Sequence, residues 1–247
     1  MRLVKLMATT IRESTFDLNE QFQDSSAEDI LRWAASEFGK SVSLACSFGA
    51  EDVALLDILA ALGLSIPVFV LDTGRLHEET YDVMQRCRLR YGIEFEIFAP
   101  DTTRLQNLIR LKGPTSFYES VDSRRECCGI RKVEPLRRAL QGQHAWITGL
   151  RREQSVTRSS LDKIEIDEVH GGILKLNPLA DWAEEQLWQY IRSNDVPYNA
   201  LHDQGFPSIG CAPCTRAIAA GEDVRAGRWW WESPEHKECG LHQAGHA

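Results

Sequence analysis

SVSLACSFGAEDVALLDILAAL, residues 41–62, is the stretch on which the fold turns. Ser41–Cys46 is a short apolar run of strand length. Ser47-Phe48-Gly49-Ala50-Glu51-Asp52 follows as a turn of mostly small and acidic residues, and Val53–Leu62 has the composition of a buried helix. A strand, a small-residue turn and a helix N-terminus in succession aim free backbone N–H groups at one point, which suits an anion. Ordinary strand-to-helix turns use a glycine too, so this loop signifies only in company.

Working outward, the company is found. Upstream, Ala27–Phe38 repeats Ile30, Leu31, Ala34 and Phe38 at helical spacing, behind an irregular lead-in of residues 1–26. Downstream, the strand Ile66–Leu71 ends in Asp72-Thr73-Gly74-Arg75 before a helix His77–Tyr91. Ile93–Phe98 reads as a strand, Thr102–Leu111 as a helix, and His144–Thr148 as a strand running into Gly149–Ser155. This alternation predicts one α/β domain, a mostly parallel twisted sheet with right-handed crossovers and helices on both faces. The loops 47–52, 72–75 and 149–155 then share the carboxyl edge of the strands, where such sheets bind ligands. Further on, Leu161–Val169 and Ile173–Leu176 read as strands joined by a Gly171-Gly172 turn. Asp181 is expected to cap a helix ending at Ile191, with Glu184 completing a capping box and Trp182, Leu187, Trp188 and Ile191 in the core.

Two unequal cysteine pairs stand apart from this frame, Cys127-Cys128 and Cys211-Ala212-Pro213-Cys214. Four thiolates from two places can close a site for Zn²⁺ or for an iron–sulfur cluster. Zinc knuckles usually repeat the C-x-x-C spacing, so the adjacent pair favours a cluster, with two small buried side chains as the plain alternative. Seven cysteines, and an N-terminus without the apolar run of a signal peptide, point to thiol chemistry in a reducing, cytoplasmic setting. Nothing approaches the roughly 20 apolar residues of a membrane span.

The net charge of −8 argues against a nucleic-acid binder. That average hides a basic window, Arg124–Arg158, which holds nine Lys or Arg against three acids. Such a patch on an acidic chain suits a small anionic ligand, unless half of these arginines are solvated helix faces. The domain is expected to span residues 27–230, followed by a mobile tail, 231–247. The tail carries Lys237-Glu238-Cys239-Gly240-Leu241-His242, in which neighbouring basic groups would favour a thiolate at Cys239.

Together these motifs resemble the assimilatory adenylyl-sulfate (APS) reductases, within the larger phosphoadenylyl-sulfate (PAPS) reductase family. The carrying residues are SFGAED (47–52), LDTG (71–74), CCGIRK (127–132), GLRREQS (149–155), CAPC (211–214) and KECGLH (237–242). The resemblance implies an adenine-nucleotide α-hydrolase-like sheet and a [4Fe–4S] cluster on Cys127, Cys128, Cys211 and Cys214. It implies Cys239 as the nucleophile, on a flexible catalytic tail. The activity it implies is thioredoxin- or glutaredoxin-dependent reduction of adenosine 5′-phosphosulfate to sulfite and AMP, through an S-sulfocysteine, in sulfate assimilation and cysteine biosynthesis.

On that resemblance the nucleotide lies against Ser47, Phe48, Gly49, Leu71, Asp72, Thr73 and Gly74. Lys132, Arg152, Arg158, Arg225 and Arg228 face the phosphosulfate, and Gly149 and His242 complete the substrate-binding set. The chain departs from the SGGxDS loop of the related ATP pyrophosphatases, having Phe48 at the first glycine and Glu51-Asp52 at the end, which speaks against pyrophosphate release. PAPS reduction, and a Zn(Cys)₄ binding module with a regulatory thiol, remain as alternatives; oligomeric state is open. Twenty-five residues from Cys214 to Cys239 give the thiol a reach of up to roughly 80 Å.

Overall fold

Ser26 opens the alternation of helices and strands. Its hydroxyl accepts the Asp29 N–H at 3.1 Å, and the Asp29 carboxylate accepts the Ser26 N–H at 3.3 Å, a reciprocal cap worth about 1 kcal/mol. Helix α1, Ala27–Phe38, follows with the expected limits and buries Ile30, Leu31 and Ala34. The computed structural model describes residues 17–155 and 158–233. Within the lead-in, residues 17–22 are helical rather than irregular. Phe22 is buried against Trp33, with ring centroids 4.8 Å apart, and Asn19 bonds both the N–H and the C=O of Ile164. Leu18 and Phe22 make a single i, i+4 pair, too short a periodicity to announce that helix.

Strand β1, Val42–Ala45, leads into α2, Ala50–Ala61, and then β2, Val68–Leu71. Helix α3, Glu78–Tyr91, strand β3, Phe95–Phe98, and helix α4, Thr102–Lys112, complete the first half. The second half contains α5, Val121–Cys128, α6, Glu134–Ala139, and β4, Ala145–Ile147. Next come β5, Ile164–Asp167, β6, Ile173–Leu176, and α7, Glu184–Ser193. The sheet order is β3-β2-β1-β4-β6-β5, parallel throughout except for the β5–β6 hairpin.

Alternate residues divide the strands between two layers. Val42, Leu44, Val68, Val70, Ala145 and Ile147 join the core formed with α1, α2 and α7. Phe69 and Trp146 point the other way, against Leu136 and Ala139 of α6. Helix α2 is apolar all round because it is buried, Val53 through Leu56 included. The strand order reverses between β1 and β4, which opens a crevice beyond their carboxyl ends.

Local readings are revised at three places. Asp181 does not cap α7: the Glu184 N–H goes instead to the Glu153 carboxylate at 2.8 Å, while Asp181 pairs with buried Lys163 at 2.7 Å. A buried ammonium left without a counter-charge would cost more than a cap contributes. The expected strand 161–169 is only Ile164–Asp167, because the Asp167 side chain takes the His170 N–H and turns the chain. Cys127 and Cys128 end α5, and a π-helical turn, Gly129–Val133, joins α5 to α6. Trp231 and Glu232, expected in the tail, belong to the folded body. Glu232 is buried in a pair with Arg124 at 2.8 Å, and Trp231 packs on Tyr118 at 4.4 Å. No helix among the described residues is long and apolar enough to cross a membrane.

Candidate functional site

The loop after β1 is built around one carboxylate. Asp52 accepts the Ser47 N–H at 2.6 Å and the Ser47 hydroxyl at 2.7 Å, and takes a further bond from the Gly149 N–H. This closes the turn and joins it to the loop after β4. A Cβ on Gly149 would lie 2.8 Å from the Glu51 Cβ and closer still to the Asp52 carboxylate, so only glycine lets these loops meet. Glu51 in turn pairs with buried Arg151 at 2.9 Å. Gln154 accepts the Arg151 N–H at 3.1 Å, donates to the Gly149 carbonyl at 3.1 Å and also bonds Arg158.

Burial pushes the Asp52 carboxyl up to about 6, against the opposing hydrogen bonds of Ser47. The folded state therefore binds this proton more tightly than the unfolded chain does. Its contribution to stability is full below the ordinary carboxyl range, near 4, and is lost as pH rises through about 6. Two units correspond to roughly 3 kcal/mol. Asp52→Asn protein should gain stability relative to wild type by up to that amount between pH 4 and 7. Parallel denaturant titrations check this; a difference that does not change with pH contradicts it.

The loop after β2 spans two cavities. Asp72 accepts the Gly74 N–H and the Tyr81 hydroxyl, each at 2.8 Å. The Thr73 hydroxyl lies 3.2 Å from Cys211 Sγ, and its carbonyl accepts from Arg131. The Arg75 carbonyl takes the Ala212 N–H at 2.8 Å. The larger cavity, of about 650 Å³, runs along the carboxyl edge of the sheet, and its lining includes Ser47, Gly49, Leu71, Thr73, Gly149 and Arg151. Lys132, Arg158, Arg192, Arg225 and Arg228 add further cations to Arg151. The smaller, about 20 Å³, is enclosed by Cys127, Cys128, Cys211 and Cys214. Lys132 and Arg228 line both.

The four cysteines feel one another and this shared wall. Burial raises the Cys211 thiol, yet Lys132, Thr73, Arg228 and Arg131 together hold it below its ordinary value. Burial, then the neighbouring Cys211, pushes Cys214 up to about 12, and burial raises Cys127 against Arg131 and Arg75. Around the same cavity, the buried Arg131 Nε and Trp229 Nε1 have no hydrogen-bond acceptor. No three His, Cys, Asp or Glu side chains among the described residues converge closely enough to hold a single metal ion.

Most of the residues named from sequence meet here, with exceptions. Phe48 is absent from the cavity wall: at φ 60° its ring turns inward, buried against Phe95 at 5.2 Å. Arg152 donates to the Leu161 carbonyl at 2.8 Å and is absent from the cavity wall, where its neighbour Arg151 stands. Asp72 and Gly74 shape their loop without lining the cavity. Cys239 and His242 lie outside the described residues. The basic window divides. Arg125 and Arg137 are solvated, each beside an acid one turn away, whereas Arg124, Arg131 and Arg151 are buried.

Residues missed from sequence are Asp52, Arg151, Gln154, His202 and Gly210, all of them in the cavity wall. The Arg228 guanidinium lies so close over Gly210 that a Cβ there would sit 2.6 Å from its Cζ. The only sequence signal for this was a glycine directly before a ligand-type cysteine.

An α/β sheet with a nucleotide-sized crevice at its strand reversal, cations along that crevice and a thiol-rich pocket beside it defines an anion-handling thiol protein. The chain belongs to the phosphoadenosine phosphosulfate reductase domain family, whose model matches residues 41–217. It is 51% identical over 221 residues to a protein of Allochromatium vinosum named adenosine 5′-phosphosulfate reductase, covering 90% of this chain and 86% of that one. The crystal structure of phosphoadenylyl-sulfate (PAPS) reductase from Candida auris, a phosphate complex, superposes with TM-score 0.72 at 29% identity over 83% of this chain and 97% of the other. The FMN adenylyltransferase of Candida glabrata shares the fold, with TM-score 0.53 at 15% identity over 93% of this chain and 86% of the other.

Proposed function

We propose that this chain reduces adenosine 5′-phosphosulfate to sulfite and AMP with electrons from a thioredoxin- or glutaredoxin-type dithiol, in sulfate assimilation. The observation that carries the reading is the wall of Lys132 and Arg228 shared by a nucleotide-sized cavity and a four-cysteine pocket. The relative named for the nucleotide without a 3′-phosphate, at 51% identity against 29% for the PAPS enzyme, supports the APS form.

In this reading the nucleoside lies along Ser47, Gly49, Leu71 and Thr73 at the strand ends. Lys132, Arg158, Arg225 and Arg228 hold the phosphosulfate and offset charge that grows on the leaving AMP. The Cys239 thiolate attacks the sulfate sulfur; the S–O bond to phosphate breaks, and AMP departs with the electron pair. A partner thiolate then attacks Cys239 Sγ, releasing sulfite. The partner's second thiol resolves the mixed disulfide and restores the Cys239 thiol.

Cys127, Cys128, Cys211 and Cys214 fit a [4Fe–4S] group. Four thiolates are its usual ligand set, the cations Arg75, Arg124, Arg131, Lys132 and Arg228 around them offset its charge, and the orphaned N–H groups of Arg131 and Trp229 suit sulfur acceptors. Iron and acid-labile sulfide analysis separates this reading from a Zn(Cys)₄ site. When bound, the [4Fe–4S] group supplies concentrated charge beside Lys132 and Arg228. Cys128→Ser is expected to lower iron and acid-labile sulfide on anaerobically purified protein. Full iron content with an unchanged visible spectrum would remove Cys128 from the ligand set.

The test of the activity is sulfite release from APS and PAPS side by side, with thioredoxin, on protein of known iron content. Faster turnover of APS is expected. Preference for PAPS would reassign the substrate, and no sulfite from either would sink the proposal.

A further inference from the structure

Beyond the cation wall lies a charged pair that no part of the reaction uses. Arg124 of α5 donates Nε to Glu232 Oε1 at 2.9 Å and Nη2 to Oε2 at 2.8 Å. Both side chains are almost fully buried, at 1% and 3% exposure. Taking two such charges out of water stabilises a fold only weakly, so the pair calls for another role.

Arg124 itself lines the four-cysteine pocket and lies beside Cys128, with Trp229 in the same wall. The Arg124 guanidinium lies 4.6 Å from the Trp229 ring centroid, and the Arg228 guanidinium lies 4.8 Å from the same ring. Trp229 sits at φ 42°, in the left-handed region that bulky side chains avoid. Such strain persists only where the surroundings over-determine it, and it concentrates at functional sites. Here the surroundings are named: Trp229 N–H bonds the Cys214 carbonyl at 3.1 Å, and Glu232 N–H bonds the Trp229 carbonyl at 2.8 Å. Arg228 itself reaches Ser208 Oγ and the Ile209 carbonyl, each at 3.3 Å, across the glycine at 210.

We infer that the Arg124–Glu232 pair is a positioning device for Arg228, acting through the strained Trp229. Arg124 and Arg228 both lie against the Trp229 ring, so the pair fixes the indole, the indole fixes the Arg228 guanidinium, and Arg228 is thereby preset toward the anion before substrate arrives. Preorganising a long cation in this way spares its ordering on binding. The inference rests on the proposed role of the cavity in holding a phosphosulfate.

The test compares affinity for APS with affinity for adenosine, by titration of the full chain carrying Cys239→Ser, which binds APS without consuming it. Glu232→Gln keeps shape but removes the charge that orients Arg124. It should weaken APS binding about tenfold and leave adenosine binding unchanged. Should that variant unfold because Arg124 is left uncompensated, the double variant Arg124→Met, Glu232→Leu removes both charges, a change buried pairs tolerate. The same selective loss is expected of it. Unchanged APS affinity in a folded variant overturns the inference, and equal loss for APS and adenosine reduces the pair to a purely structural role. The wild-type sulfite assay stands apart from these titrations: protein that binds APS without releasing sulfite defeats the reaction scheme and leaves this inference intact.

Discussion

Cys239→Ser protein is expected to bind adenosine 5′-phosphosulfate and to release no sulfite. Serine is close to cysteine in volume, so the change removes little except the thiolate, which is the nucleophile in the proposed scheme. Loss of a nucleophile typically costs 10⁴-fold or more in turnover, because no neighbouring group replaces the bond it forms. Mass spectrometry gives the sharper result. Wild-type protein mixed with the sulfonucleotide and no reductant should carry a sulfonate-sized adduct on the peptide bearing Cys239, discharged as sulfite by thioredoxin. Cys46 and Cys87 provide the contrast. Both are buried, and burial raises both thiols, Cys87 to about 12. An adduct on either, or sulfite from the Cys239→Ser protein, would overturn the mechanism.

Gly210→Ala should be severe in turnover and should cost stability as well. The atoms nearest the added Cβ all belong to the Arg228 guanidinium. Arg228 is buried and lies against Trp229, so moving it aside breaks that contact. Arg228 then leaves the shared wall of the two cavities, and the phosphosulfate loses one preset donor. Removing one such donor costs about 2.7–4 kcal/mol of transition-state stabilisation, or 10²–10³-fold. Thermal unfolding together with kcat/KM on APS checks the pair of outcomes. An unaffected kcat/KM would mean that Arg228 makes no contact with the reacting group.

The sequence carried the frame further than it carried the contacts. Alternating apolar runs revealed the parallel sheet because Val68, Phe69 and Val70 are buried on both faces and need no polar spacing. The anion loop and both cysteine pairs were legible from small residues and thiols at telling positions. Side-chain direction was not. Arg151 and Arg152 are interchangeable by type, and only the turn after β4 decides that Arg151 meets Glu51 while Arg152 turns to the Leu161 carbonyl. Phe48 illustrates the same limit, since a backbone at φ 60° reverses the face a loop residue presents. Long-range partners were equally silent: nothing near Glu232 in sequence announces Arg124, 108 residues earlier.

The anchoring of Glu232 also changes the arithmetic of encounter for Cys239. Counted from Cys214, twenty-five residues of extended chain span at most roughly 80 Å. Glu232 is held against Arg124, and from there seven residues span at most about 24 Å. The buried pair therefore sets the outer limit on the separation between Cys239 and the pocket that Arg124 lines.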